Sequence, residues 1–261
     1  MKNLWNNLDA ISLKLKEKSA KIIMLDFDGT LTPIIKSPEK IILQKETRKL
    51  LQDLSRKKGF FIAIISGRSL QDLKGKVALK EIIYAGNHGL EGEIYDRKFL
   101  YPLTKKTLKI MGLIKKDLET IVRDFEGVFI EDKKLTQSLH FRMLLRKHLP
   151  LFRKTFNEVI QPFKAAGSIS VTSGKKVFDI RPEFIWNKGD FAKLVIKEIA
   201  EETKTSPVVI YIGDDVTDED VFQILEGRIT IRVGGVQRSY AKYRLKNTKE
   251  VFKFLDWVVN F

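Results

Sequence analysis

Two periods of apolar residues run along this chain. The stretch KIIMLDFDGTL begins at Lys21, and from Ile22 to Leu25 no polar residue interrupts it. Residues 60–66 (FFIAIIS), 81–86 (EIIYAG), 207–215 (PVVIYIGDD) and 228–234 (RITIRVG) are built in the same way. Short apolar runs rich in β-branched residues predict strands buried on both faces, as in the middle of a parallel sheet. Between them, residues 44–58, 69–75, 189–202 and 217–226 carry apolar residues at helical spacing. Strands alternating with helices of this length predict a doubly wound α/β sheet with a Rossmann-like core.

The pattern changes in the middle of the chain. A helical stretch (105–125) is followed by two strand patterns (128–133 and 135–144), a second helix (150–163) and two short strands (168–172 and 175–182). That order predicts a small α+β layer inserted into the first sheet. The expected division is an α/β core of residues 1–103 and 183–261, with residues 104–182 as the insertion.

Polar clusters fall at the carboxyl ends of the core strands, where open α/β sheets bind ligands. They are Asp26 with Asp28, Ser66-Gly67-Arg68, Asn87-His88, and Asp214 with Asp215. Side chains two apart on a strand share a face, so Asp26 and Asp28 are expected to crowd together. A divalent cation or a proton held by one of the pair relieves that repulsion. The acidic stretch GDDVTDED (213–220) can supply further oxygen ligands, although Asp215 or Thr217 can equally cap the helix that follows.

A carboxylate beside such a cation can attack phosphorus, and Asp26 is the candidate nucleophile. Asp28 can protonate the leaving alcohol and then deprotonate water. Ser66 can donate to a phosphoryl oxygen, and Lys188 can offset charge on phosphate and nucleophile. A serine at a strand end or a lysine at a helix start is, taken singly, ordinary structure. His88 lies at a strand tip. His140 alternates along a strand and reads as packing, His148 as a solvated loop residue, and Trp5, Trp186 and Trp257 as core.

Composition narrows the field. The 261 residues carry 48 Lys and Arg against 33 Asp and Glu, a formal charge of +15. These cations are spread over helices and read as solvated faces that also attract an anionic substrate. No nucleic-acid motif accompanies them, so no nucleic-acid partner is expected. There is no cysteine, which excludes disulfides and thiolate chemistry. No run reaches the ~18 apolar residues of a membrane span, and the N-terminal stretch lacks the apolar core of a signal peptide. A cytoplasmic protein is the expectation.

In order along the chain, DxDGT (Asp26 to Thr30), Ser66, Lys188 and GDD (213–215) resemble the haloacid dehalogenase superfamily of phosphohydrolases. The resemblance implies a haloacid dehalogenase-like core and Mg²⁺ held by Asp26, the backbone carbonyl of Asp28, and Asp214. Asp215 and Asp218 become outer or alternative ligands. The stretches ISGRS, GNHGLE, IEDKKLTQSLHFR, GKKVFDIRP, NKGD and GDDVTDEDVF are similar to the trehalose-6-phosphate phosphatase family.

That likeness implies trehalose 6-phosphate as substrate, a trehalose-phosphate synthase as a possible partner, and an insertion acting as a cap that closes over the core. Glu131, Lys133, Lys175 and Asp179 would contact the sugar or its phosphate from the cap, with Arg142 near them. Arg68, Asn87 and His88 would line the core side. The family usually carries Glu at the position of Asp179, so the reach here is one methylene shorter. Alternatives are a capped phosphatase for sucrose 6-phosphate or mannosyl-3-phosphoglycerate, and a non-catalytic phosphosugar-binding regulator.

Overall fold

The computed structural model describes residues 1–35, 40–174, 176–183, 186–235 and 238–261. The chain forms two compact units, Met1–Leu100 with Trp186–Phe261, and Tyr101–Ile185.

The first unit opens with β1 (Lys2–Asn3), α1 (Leu8–Glu17), β2 (Lys21–Leu25), α2 (Lys45–Arg56), β3 (Phe60–Ile65), α3 (Leu70–Val77) and β4 (Ile83–Gly86). A hairpin of β5 (Glu91–Ile94) and β6 (Arg97–Leu100) follows. The second unit holds α4 (Lys105–Asp124), β7 (Phe129–Asp132), β8 (Gln137–His140), α5 (Leu149–Ala165), β9 (Ile169–Ser173) and β10 (Val177–Pro182). The first unit then resumes with α6 (Lys188–Thr203), β11 (Val208–Gly213), α7 (Val216–Ile224), β12 (Ile229–Val233), β13 (Tyr243–Leu245) and α8 (Thr248–Val259).

Among the described residues the first unit has a nine-stranded sheet in the order β1-β13-β12-β11-β2-β3-β4-β5-β6. Strands β1 to β4 and β11 to β13 run parallel, whereas β5 and β6 add to the edge antiparallel. Strand β2 is central, with Ile23 opposite Ile210 of β11 and Ile62 of β3. Its two faces enter different cores. Ile23 and Leu25 pack with Leu51 and Leu54 of α2 and Phe254 of α8. Ile22 and Met24 pack with Phe191 and Val195 of α6 and Phe222 of α7. Burial on both sides explains the unbroken apolar run, since each such side chain gains roughly 1.5–3 kcal/mol by leaving water.

The helices begin on polar caps. Asn187 and Asp190 form a capping box at α6, and Asp215 and Asp218 form another at α7. These caps set the start of both helices at the carboxyl end of the sheet, where the polar residues collect.

The second unit has, among the described residues, a four-stranded antiparallel sheet in the order β7-β8-β10-β9. Leu139, Phe178 and Ile180 from one face of it join Met111, Ile114 and Leu118 of α4 and Phe152, Phe156 and Ile160 of α5 in a core. Among the described residues no helix is long and apolar enough to cross a membrane.

Candidate active site

Strand β2 ends at Leu25, and this corrects the expected crowding of Asp26 and Asp28. The Asp26 amide adds one more ladder bond, to the Ile212 carbonyl at 2.9 Å, and the chain then turns. The Phe27 carbonyl accepts from the amides of Leu31 and Thr32, both at 3.0 Å. Beyond the strand the two carboxylates take different cations, Asp26 bonding Lys188 and Asp28 bonding Arg68. Gly29, at φ +93°, makes the turn possible: a side chain there would collide with the Asp214 carboxylate. The tips of β2 and β11 can therefore approach, and Thr30 Oγ1 donates to Asp214 Oδ1 at 3.4 Å.

Asp26, Asp214 and Asp218 gather so that one oxygen of each lies within 4.8 Å of the others. Lys188, at the first position of α6, reaches into this group. Its Nζ donates to Asp26 Oδ1 and Asp218 Oδ1, both at 2.8 Å, and all three side chains are nearly or fully buried. Burial works against the Lys188 charge, but Asp218 and Asp26 outweigh it and hold the ammonium above its ordinary value. Burial also raises the Asp26 carboxyl well above the usual range; Lys188 opposes this, while Asp218 and Asp214 add to it. Lys188 bonds two of these three carboxylates, Asp26 and Asp218. An all-oxygen donor set of this kind fits a hard divalent cation.

The acids of the 213–220 stretch divide their work. Asp218 Oδ2 accepts from the amides of Asp214 (2.8 Å) and Asp215 (2.9 Å), and Asp218 Oδ1 accepts from Lys188 and from the Tyr211 hydroxyl. Asp215 turns to the start of α7, where its Oδ1 accepts from the Val216 amide at 2.7 Å. It does not join the acid group, which matches the capping alternative.

Arg68, expected on the core side of the substrate site, holds Asp28 with its guanidinium through Nε–Oδ2 (2.5 Å) and Nη2–Oδ1 (2.7 Å), and Asp72 through Nη1 (2.7 Å). The ring of Phe27 lies 5.4 Å below it. Ser66 Oγ is buried and accepts from the Arg68 amide at 3.2 Å, with its own proton still to donate. Asn87 and His88 both occupy the left-handed region, at φ 49° and 58°. The Asn87 amide donates to the Arg68 carbonyl and the His88 amide to the Ser66 carbonyl, so the tips of β3 and β4 are stitched together. The His88 ring lies against Gly67, where a side chain would strike it.

In the second unit, register aligns Glu131 of β7, Ser138 of β8, Asp179 of β10 and Thr172 of β9 in one row across the sheet. Lys133 Nζ donates to Ser138 Oγ at 2.7 Å and lies 3.6 Å from Asp179 Oδ1, and Ser138 donates to Asp179. His140, read as packing, instead lies on this polar face. Its Nε2 meets Glu131 Oε2 at 2.8 Å, and its ring stacks on Phe129 at 4.6 Å. Arg142 follows β8 and is half-buried. Lys175 lies outside the described residues. Ser138 was not singled out from the sequence and His140 was read only as packing, although the signal exists. Both alternate with Leu139, as Glu131 does with Ile130 and Asp179 with Phe178 and Ile180, which marks one polar and one apolar face.

The chain matches the trehalose-phosphatase family over residues 24–250. It is 32% identical to trehalose-phosphate phosphatase B of Arabidopsis thaliana over 259 residues, which span 94% of this chain and 68% of that protein. Its fold is similar to that of the C. albicans trehalose-6-phosphate phosphatase C-terminal domain, with a TM-score of 0.85 at 23% identity over 98% of this chain and 97% of the other. It is also similar in fold to a haloacid dehalogenase-like hydrolase from Bacteroides thetaiotaomicron, with a TM-score of 0.63 at 15% identity over 92% of this chain and 99% of the other.

Proposed function

The chain belongs to the trehalose-phosphatase family, and from that premise we propose that it is a magnesium-dependent phosphatase that hydrolyses trehalose 6-phosphate through an aspartyl-phosphate. The observation that supports this reading is the cluster of Asp26, half-buried Asp214 and Asp218, with Lys188 bonded to Asp26 and Asp218, where the adjacent parallel strands β2 and β11 end.

A carboxylate oxygen of Asp26 attacks phosphorus and the bond from phosphorus to the sugar oxygen breaks. The departing oxygen takes a proton from Asp28. Water then loses a proton to Asp28 and attacks the same phosphorus, which releases phosphate and restores Asp26. Lys188, 2.8 Å from Asp26, offsets negative charge on the nucleophile throughout. Ser66 offers its proton to a phosphoryl oxygen. Asp26 and Asp214 are the carboxylates assigned to magnesium, which supplies charge neutralisation and orientation for the phosphoryl group. On the second unit, the polar row of Glu131, Ser138 and Asp179 with Lys133 offers donors and acceptors suited to sugar hydroxyls. A site of that kind discriminates strongly, because an analogue lacking a hydroxyl leaves buried polar groups unpaired.

The test is phosphate release from trehalose 6-phosphate, sucrose 6-phosphate, glucose 6-phosphate and mannosyl-3-phosphoglycerate, each with magnesium and with chelator. Turnover of trehalose 6-phosphate that exceeds the others and stops with chelator is the expected result. Chelator-resistant turnover would refute the metal assignment, and preference for another sugar would refute the substrate.

A further inference from the structure

Each acceptor position of the Asp218 carboxylate is taken. Such a group offers about four lone-pair sites. Two accept from the amides of Asp214 and Asp215, one from Lys188 and one from the Tyr211 hydroxyl at 2.7 Å. Three of these donors belong to the machinery already described. Tyr211 does not, and it was no candidate in the sequence.

Tyr211 lies on β11 and is completely buried. Its ring packs with Met24 and Phe191 and meets Phe222 edge-on at 5.7 Å. A buried phenol aimed at a buried carboxylate is held in place by the core around its ring. Burial, with Asp218 beside it, also raises the hydroxyl well above its ordinary value, so it stays a donor.

We propose that Tyr211 is a positioning residue: by taking the last acceptor site on Asp218, it keeps that carboxylate as a clamp on Lys188 and out of the cation's inner sphere. The inference rests on the magnesium reading above. Magnesium usually takes one or two carboxylates and retains several waters, whereas calcium accepts six to eight oxygens. With Asp26 and Asp214 assigned to the cation, a third carboxylate within reach would suit calcium better than magnesium. The Tyr211 hydroxyl withholds it. Lys188 benefits too, because Asp218 Oδ1 then stays fixed while Asp26 reacts.

Tyr211→Phe tests this, since it removes the hydroxyl and keeps the ring. Chelator-treated parent and variant are titrated calorimetrically with magnesium chloride and with calcium chloride. Phosphate release and thermal melting are followed alongside. We expect the calcium-to-magnesium affinity ratio to rise about tenfold in the variant, with kcat falling about tenfold and KM for the sugar phosphate little changed. A ratio within about twofold of the parent's, whatever happens to the melting temperature, overturns the proposal and leaves the hydroxyl as a satisfied core group. A parent that binds neither cation overturns the magnesium reading and this one together. Binding by the parent that Y211F leaves unaltered overturns this one alone.

Discussion

Arg68 grips Asp28 with two arms of its guanidinium, Nε at 2.5 Å and Nη2 at 2.7 Å, across 40 residues of sequence. A planar fork of this kind matches a carboxylate in a way that the single ammonium of lysine does not. Arg68 takes two of the roughly four acceptor sites of Asp28, so the fork fixes the direction of the carboxylate while a further lone pair can carry the proton to the leaving oxygen. Arg68 is then a positioning residue for the acid–base group. Arg68→Lys is expected to lower kcat about a hundredfold, the scale of a misplaced catalytic group, and to change KM much less. Steady-state kinetics with a melting control measure this. A rise in KM with kcat intact would mean that Arg68 meets substrate instead.

Asp26 links the site to stability. Its carboxyl is raised in the folded protein, chiefly by burial, above the value of about 4 that it has when unfolded. Between those two values the native state binds more protons than the unfolded state, so stability falls as pH rises through that window. Asp26→Asn removes the buried charge. The metal-free variant should therefore be more stable than the parent at neutral pH, with the difference vanishing below about pH 4. Urea unfolding in chelator across pH reads this directly, and an N-variant less stable than the parent at neutral pH would contradict it. Turnover should fall by about four orders of magnitude or more, the scale of removing a nucleophile.

The same residues show what a one-dimensional reading can reach. Strands β2, β3, β11 and β12 were legible because they are buried on both faces and so carry almost nothing polar. The hairpin of β5 and β6 was not. Glu91, Glu93, Arg97 and Lys98 dilute its apolar signal, and as an edge hairpin it buries little. Asp26 and Asp214 could be named because motif spacing places them at strand tips, and Lys188 because it opens a helix. The Arg68–Asp28 fork, the Tyr211–Asp218 bond and the Glu131–His140 pair could not, since each depends on which cross-chain neighbour a side chain finds. Asp215 and Asp218 sit three apart in one acidic run and share the capping box of α7, yet only Asp218 also anchors a lysine. Local sequence does not separate those roles.

Gly29 makes the meeting of β2 and β11 sterically possible. At φ +93° an L-residue is strained, and its side chain would enter the space of the Asp214 carboxylate. Gly29→Ala should cost about 1–3 kcal/mol of stability. It should also weaken magnesium binding about tenfold, because Asp214 must retreat from Asp26. Thermal melting and calorimetric titration check the two effects. Unchanged magnesium affinity would show that Asp214 is not a ligand.

Ser138 offers a way to test whether recognition is separate from chemistry. Its hydroxyl accepts from Lys133 and donates to Asp179, so it fixes the direction of both groups on the polar face of the second unit. Ser138→Ala breaks that bridge and leaves Lys133 and Asp179 as an ion pair at 3.6 Å with no hydroxyl between them. Leaving part-buried polar groups without their partner costs about 1–3 kcal/mol. The expected result is a KM for trehalose 6-phosphate raised about tenfold with kcat little changed. p-Nitrophenyl phosphate carries no sugar, so its hydrolysis should be the same in variant and parent. An equal loss with both substrates would show that Ser138 acts by supporting the fold, and the sugar would then have to be recognised elsewhere.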